Sequence, residues 1–267
     1  MGIRRQSVLS GKIITIRDLR KSFGSTEVLK RIDFSVEAGE IIGYIGPNGA
    51  GKSTTVKIML GIIGNYEGEV SIFGEDIANG GFEYKRRIGY VPETGELYES
   101  LTASEYLTFM GQIYGLDIDE ADQKAGRLMD LFGIYDSYHS RISTYSKGMK
   151  QKVMIIASIL HNPDILFLDE PLNGLDANSV IIVKELLNQF AQSGKTIFYC
   201  SHIMEVVEKI SDRILLIDRG RIVADGSFEE LKAKSLQGSL EDILNKLTGF
   251  TGHREIAGEI ISVIEEE

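Results

Sequence analysis

The segment 46–54, Gly-Pro-Asn-Gly-Ala-Gly-Lys-Ser-Thr, has the residue types and spacing of a phosphate-binding loop. It fits the pattern G-x-x-x-x-G-K-[ST] and follows an apolar run at 40–45 that predicts a buried strand. The glycines let backbone N–H groups turn toward phosphate oxygens, and a helix beginning at Lys52 would point its positive end at the anion. We expect Lys52 to reach the β- and γ-phosphates of a nucleoside triphosphate and Ser53 to ligate Mg²⁺. The residues expected to surround the nucleotide are Gly46, Pro47, Asn48, Gly49, Ala50, Gly51, Lys52, Ser53 and Thr54.

A pair of carboxylates, Asp169 and Glu170, closes the apolar run 165–168, which predicts another buried strand. A carboxylate at the end of such a strand, in the same sheet as a phosphate loop, is placed to hold the metal ion, so we assign Asp169 to Mg²⁺. Glu170 is suited to orient a water molecule and remove its proton for attack on the γ-phosphate. The pair therefore predicts hydrolysis. An acidic helix cap after a buried strand is the alternative interpretation of Asp169.

The elements that must position these residues alternate between strands and helices, which is typical of a parallel sheet with crossover helices. Predicted strands lie at 13–16, 32–36, 40–45, 68–74, 87–91, 164–169, 196–200, 213–218 and 221–226, and a helix is predicted at 177–192. Between 102 and 160 the apolar residues recur at helical spacing, which predicts a helical insert. Its two apolar faces are expected to carry Leu107, Met110 and Tyr114, and Leu128, Leu131 and Phe132.

The composition is that of a globular protein, with 267 residues of which 43% are hydrophobic and 25% charged. The formal charge of −10 disfavours non-specific binding to nucleic acid, so no nucleic-acid partner is expected. The start of the chain lacks the apolar region of a signal peptide, and the single cysteine, Cys200, falls in a predicted buried strand. Both features predict a cytoplasmic location.

The segment 145–149, Tyr-Ser-Lys-Gly-Met, precedes an apolar helix and carries a resemblance to a known family. It resembles the signature of the ATP-binding cassette family, usually Leu-Ser-Gly-Gly-Gln, with Ser146 and Gly148 at matching positions. In that family this helix N-terminus caps the γ-phosphate held by a second subunit, through the hydroxyl, backbone N–H groups and the helix dipole. The resemblance implies ATP as the nucleotide and a second copy of the chain in an ATP-sandwich dimer. Without it, Ser146 is an ordinary helix N-cap.

Further motifs follow in the family's order, from Phe23 to about position 226. Phe23 matches the aromatic residue that stacks on adenine, with a core residue of a strand as the alternative. The segment 173–176, Asn-Gly-Leu-Asp, resembles the loop by which two subunits touch, with Asp176 as the bridging carboxylate, and an ordinary turn and helix cap is the alternative. His202, after a predicted strand, matches the switch histidine that senses the γ-phosphate.

One position departs from the family pattern. Where most members place a glutamine after the strand at 88–91, this chain has Glu93. The change keeps an oxygen ligand for Mg²⁺, removes the donor of the amide and adds a negative charge. We assign Glu93 to the metal site, and a solvated surface glutamate is the alternative.

The remaining histidines, His139, His161 and His253, show no metal-ligand spacing. We expect them to be surface or capping residues.

The resemblance implies a fold and a domain organisation. The fold is α/β, a P-loop NTPase core with a mostly parallel sheet, an N-terminal antiparallel β subdomain and an inserted α-helical subdomain. Residues 1–235 would form one ATPase domain with the helical subdomain at about 95–162, and 236–267 would form a short helical extension packed on the outside.

Glu93, the signature and the segment 239–249 together look like bacterial export-type cassettes that are encoded apart from their membrane subunit. The resemblance therefore implies an ATPase that powers transport through an integral membrane permease, bound peripherally to the inner face of the membrane. A soluble cassette acting on ribosomes or nucleic acid is the alternative, although the segment between Lys52 and Asp169 is too short for the coiled coil of repair members. A P-loop kinase would leave Glu170 and the segment 146–148 unexplained.

Overall fold

The described part of the chain folds into two sheets with helices packed around them. In the computed structural model this part comprises residues 11–95, 97–235, 238–249 and 253–265. The expectation that the start of the chain is not a signal peptide falls on residues 1–10, which lie outside the described residues. The strands are β1 (Lys12–Phe23), β2 (Thr26–Glu37), β3 (Ile41–Ile45), β4 (Glu67–Ile72), β5 (Glu75–Asp76), β6 (Ile88–Val91), β7 (Ile165–Asp169), β8 (Thr196–Cys200), β9 (Arg213–Asp218) and β10 (Arg221–Gly226). The helices are α1 (Lys52–Met59), α2 (Ala103–Ile113), α3 (Ile118–Leu131), α4 (Lys147–Ile159), α5 (Ala177–Gln192), α6 (Met204–Ile210), α7 (Phe228–Ser235), α8 (Leu240–Thr248) and α9 (His253–Glu265).

The first sheet is antiparallel, with strand order β2-β1-β4-β5. In β2 the buried side chains of Ile32, Phe34 and Val36 alternate with more exposed ones, so one face of the strand packs on the core. This sheet confirms the N-terminal antiparallel β part that was expected from the resemblance.

The second sheet has the order β10-β9-β3-β8-β7-β6 and is parallel except for the pair β9 and β10. Strands β3, β7 and β8 are buried along their whole length, as expected for inner strands covered on both faces. Cys200 lies buried at the end of β8, as predicted. Because the carboxyl ends of parallel strands meet at one edge, the segments that follow β3, β7 and β8 lie side by side.

Helices α2, α3 and α4 lie between β6 and β7 in the sequence and pack against one another, which confirms the helical insert. Leu107 on α2 and Met129 on α3 are buried in its core. The prediction that Leu131 lies on an apolar face is wrong, because its side chain is 72% exposed. The buried stripe of α3 runs through Ala121, Ala125 and Met129, and Leu131 at the end of the helix is turned away from it.

One of the C-terminal helices, α8, is not simply packed on the outside of the domain, because part of it joins the core. Leu240 and Ile243 of α8 are buried in the same core cluster as residues of the large sheet, and α8 contacts α6 and α7. Among the helices of the described residues, none is long and apolar enough to cross a membrane.

Candidate nucleotide-binding site

The predicted phosphate loop connects β3 to α1 and is shaped by its glycines. Gly49 and Gly51 have φ angles of 77° and 114°, which side chains with a Cβ rarely adopt. A Cβ on Gly46 would lie 2.0 Å from the carbonyl oxygen of Ile217, so the backbone at this position passes directly against β9. The loop is thus held in a turned conformation by the strand next to it.

Lys52 folds back over this loop. Its Nζ donates hydrogen bonds to the carbonyl oxygens of Gly46, at 2.6 Å, and Pro47, at 3.1 Å. Helix α1 begins beside it after Gly51, without a side-chain cap and without an acidic residue in its first turn. An uncapped helix N-terminus next to an ammonium group is an arrangement that suits an anion such as phosphate.

Asp169 ends β7 directly opposite the loop. The Oγ of Ser53 lies 3.5 Å from its Oδ2, and the carboxyl is 7% exposed. Burial raises the pKa of Asp169 to about 6, and the neighbouring carboxylates of Glu93 and Glu170 add to the rise, while Lys52 and Ser53 oppose it. Lys52 therefore offsets only part of the negative charge of these carboxylates, which fits a divalent cation held by hard oxygen ligands.

Glu170 is fixed by the segment that follows β8. Its side chain is 8% exposed, and its φ of 51° is unusual for a residue with a side chain. One oxygen accepts a hydrogen bond from the hydroxyl of Ser201 at 3.0 Å, and the other accepts one from the backbone N–H of His202 at 2.7 Å. The ring Nδ1 of His202 lies 2.8 Å from the same oxygen, so these contacts hold the carboxylate at the edge of the sheet.

A cavity of about 1100 Å³ joins these groups. It is lined by loop residues 46–49 and 51–54, by Glu93, Asp169 and Glu170, and by His202. The structure thus brings together the predicted phosphate loop, both carboxylates, Glu93 and the histidine in one space. Ala50 is buried beneath the loop and faces a second, smaller cavity next to it.

Comparisons with known proteins agree with this geometry. Residues 29–173 match the protein family described as ABC transporter. The linearmycin resistance ATP-binding protein LnrL of Bacillus subtilis (strain 168) is 37% identical over 219 residues, which cover 82% of this chain and 70% of LnrL. The chain belongs to the ATP-binding cassette family. Members of this family bind and hydrolyse ATP, so the chain is an ATPase.

Other similar proteins carry names of transport proteins. The Nod factor export ATP-binding protein I of Burkholderia lata is 31% identical over 256 residues, covering 93% of this chain and 84% of that protein. A solved structure of the ATP binding subunit of an ABC transporter has a TM-score of 0.83 and 34% identity, covering 88% of this chain and 99% of that one. The predicted family and cassette fold are confirmed.

The predicted signature residues lie away from the cavity of their own chain. Ser146 is the N-cap of α4, and its Oγ accepts a hydrogen bond from the N–H of Met149 at 3.2 Å. A Cβ on Gly148 would lie 2.6 Å from the carbonyl oxygen of Gly174, so only glycine allows α4 to approach this turn so closely. Among the residues that line the cavity neither Ser146 nor Gly148 occurs.

Asp176 is the N-cap of α5 and follows the turn at Gly174. Its carboxylate accepts hydrogen bonds from the backbone N–H of Ser179 at 2.9 Å and from the Ser179 hydroxyl at 2.6 Å, and Lys152 lies at 3.2 Å. The two bonds from Ser179, and then Lys152, hold the pKa of Asp176 well below its ordinary value. Within one chain Asp176 is therefore a helix cap, and its bridging role stays a prediction.

Phe23 lies at the end of β1 with 49% of its surface exposed, and it does not line the cavity. Its stacking on adenine stays a prediction. The ammonium of Lys21 sits 5.0 Å from its ring centre. Val28, from the neighbouring strand β2, lines the cavity instead. The sequence gave no indication of this, because Val28 lies in an ordinary strand pattern.

Sequence reasoning also missed the part of the cavity wall that comes from α6 and α8. It consists of Glu205 on α6 and of Glu241, Leu244 and Asn245 on α8. These residues belong to no motif, and the amphipathic pattern of α8 predicts only that one side is buried.

The prediction that His161 is a surface or capping residue is wrong. Its ring stacks on Tyr114 with 3.6 Å between centroids, and its Nε2 lies 3.0 Å from the carbonyl oxygen of Ile88. Burial lowers the pKa of His161 to about 4, so it is a neutral packing residue. His139 is exposed, and the side chain of His253 lies outside the described part.

Proposed function

We propose that this cassette powers transport, in the direction of export, through a separate integral membrane permease, and that it works as an ATP-sandwich dimer. The observation that carries the proposal is the split between two sets of residues. Lys52, Asp169 and Glu170 line one cavity, while Ser146 and Gly148 of the same chain do not line it. Two copies related by a two-fold axis would each complete the other's site. Names such as linearmycin resistance and Nod factor export among the relatives support the direction.

In this proposal ATP binds with its phosphates in the loop 46–54, and Mg²⁺ is held by Ser53 and Asp169 with Glu93 as a further oxygen ligand. The ion, when bound, supplies positive charge to the phosphate oxygens. Lys52 holds the β- and γ-phosphates. Glu170, held by Ser201 and the backbone of His202, accepts a proton from the attacking water.

An apolar groove beside the site suits the membrane subunit. It is a cavity of about 200 Å³ between the segment after β6, α2 and α4, lined by Pro92, Leu97, Tyr106 and others. Tyr98 at its edge is 61% exposed and tilted against Tyr106, and Phe109 and Ile113 on α2 are exposed as well. Exposed apolar clusters mark interaction sites. We place a short helix of the permease here, which would hold the cassette at the inner face of the membrane.

The test is co-purification with the candidate permease, an integral membrane protein sought among the genes that neighbour the gene of this chain. Tyr98→Asp introduces a charge into the groove and is expected to abolish co-purification while basal ATPase activity persists, because the substitution lies outside the nucleotide cavity. Phe82→Asp is the matched control, because Phe82 is also an exposed aromatic residue but lies elsewhere. Normal co-purification of Tyr98→Asp would place the contact at another surface. A wild-type chain that bound ribosomes and no membrane protein would favour the soluble alternative.

A further inference from the structure

Helix α8 turns one face to the nucleotide cavity. Glu241, Leu244, Asn245 and Thr248 follow one another at helical spacing and line this cavity or the smaller one beside the tip of the phosphate loop. The next side of the helix, with Leu240 and Ile243, is buried in the core. The helix is therefore anchored, and its cavity-facing side is a fixed wall of the site.

This wall is acidic at its rim. Glu241 on α8 and Glu205 on α6 are exposed, both line the cavity, and the two helices are in contact. Within the described residues neither carboxylate has an ion pair or a side-chain hydrogen bond. The interior of the cavity adds Glu93, Asp169 and Glu170. The rim consequently presents negative charge that the chain itself leaves unpaired.

An unpaired positive charge lies in the predicted signature. Lys147 stands between Ser146 and Gly148 and is exposed. Its side chain runs along the turn at Gly174, where an added Cβ would lie 3.1 to 3.3 Å from its Cγ, Cδ and Cε. Across the described parts of the chain its ammonium has no carboxylate partner. The aliphatic part of Lys147 is thus supported by the turn at Gly174, while its ammonium is unpaired within the described residues.

We propose that in the closed dimer the ammonium of Lys147 from one copy pairs with Glu241 of the other, so that α8 is part of the dimer interface. The proposal rests on the proposed function, since it requires the segment 146–148 of a second copy to enter the cavity that α8 borders. A second copy is the occupant favoured by charge, because the segment that must reach the γ-phosphate carries the ammonium that the rim lacks. With two symmetric sites, each dimer contains this ion pair twice.

The experiment is a charge exchange in the Glu170→Gln background, in which ATP-bound dimers are expected to accumulate. Dimer affinity is measured by sedimentation with Mg²⁺ and ATP at low salt. Glu241→Lys and Lys147→Glu are each expected to raise the dissociation constant about tenfold, because each replaces two attractions by two repulsions. The double variant restores the ion pair with the two charges exchanged, so its dissociation constant is expected to lie within about twofold of the parent's. The differences should shrink at high salt, because exposed charges are screened.

The double variant separates the contact from local damage. Glu241→Lys also places a positive charge in the first turn of α8, and Lys147→Glu brings a negative charge close to the phosphates. The second substitution reverses neither of these local effects, whereas it does restore an ion pair between the two copies. Glu75→Lys, on the antiparallel sheet, is the matched control and should leave the dimer unchanged.

Two outcomes overturn the inference in different ways. If the Glu170→Gln protein dimerises equally well with either charge reversal, or if the double variant is as weak as the two single variants combined, the contact is wrong and the sandwich dimer stands. If the Glu170→Gln protein stays monomeric with Mg²⁺ and ATP, the sandwich dimer is wrong and the contact falls with it.

Discussion

Two regions of the molecule carry groups suited to a γ-phosphate, and they differ in how completely their own chain surrounds them. Glu170 at the end of β7 is buried and accepts hydrogen bonds from Ser201 and His202. Ser146 at the start of α4 is exposed, and the partner of its hydroxyl among the described residues is the N–H of Met149 in its own helix. We call the first the finished region, because its own chain holds Glu170 in place, and the second the exposed region. In the proposed dimer, the exposed region of one copy would complete the site of the other.

The second region is nonetheless rigidly built. The backbone of Gly148 lies against the carbonyl of Gly174, and Lys152 on α4 binds Asp176 at the start of α5. These contacts join the N-termini of α4 and α5 into one face. A preformed face of this kind loses little conformational freedom on binding, which favours its use as a contact surface.

The strongest test of the finished region is Glu170→Gln. The substitution keeps the size and one of the two accepting oxygens but removes the base, so hydrolysis should fall by about 10³-fold while ATP still binds. ATP-bound dimers should then accumulate with Mg²⁺, as measured by size-exclusion chromatography. Wild-type turnover in a protein that remains monomeric would refute the role of Glu170.

Lys52→Ala tests the same region through its charge. Loss of the ammonium that lies over the phosphate loop should reduce hydrolysis by about 100-fold. The thermal unfolding midpoint should change little, because Lys52 Nζ bonds only to carbonyl oxygens of the loop in this structure. Lys57→Ala, an exposed lysine on the same helix, is the control. An unchanged hydrolysis rate would contradict the assignment.

Ser146→Arg tests the exposed region. Because Ser146 would act only on the nucleotide of a second copy, hydrolysis should fall by about 100-fold while the affinity of the monomer for ATP stays within a few-fold of wild type. Both quantities can be measured on the purified chain. A tenfold or larger loss of monomer affinity, about 1.4 kcal/mol, would show that the signature acts within its own subunit.

Glu93→Ala probes the border of the finished region and should give the smallest effect. If Glu93 is an oxygen ligand, the Mg²⁺ concentration for half-maximal hydrolysis should rise about threefold, while Glu93→Gln should stay close to wild type. A Mg²⁺ titration of Glu93→Ala that superimposes on wild type would identify Glu93 as a solvated surface residue.

Much of the finished region follows from sequence because its parts are local. The phosphate loop needs glycines at fixed spacing between a strand and a helix, and the predicted helix at 177–192 coincides with α5. Parallel strands bring their carboxyl ends to one edge, so Asp169 and His202 could be expected beside Lys52. The burial of His161 against Tyr114 could not be expected, because it depends on the approach of α2 and α4, which no local pattern encodes.

The sequence by itself determined the family, the phosphate loop and the carboxylate pair, since each depends on residue types at short spacing. Only the tertiary structure decided what surrounds them. It brought Glu170 into contact with the segment after β8. It also kept Ser146 out of the lining of its own chain's cavity and made α8 part of that lining. The physical reason is that helices are positioned by the packing of buried side chains such as Leu240 and Ile243, and an apolar pattern states that a face is buried but not against what.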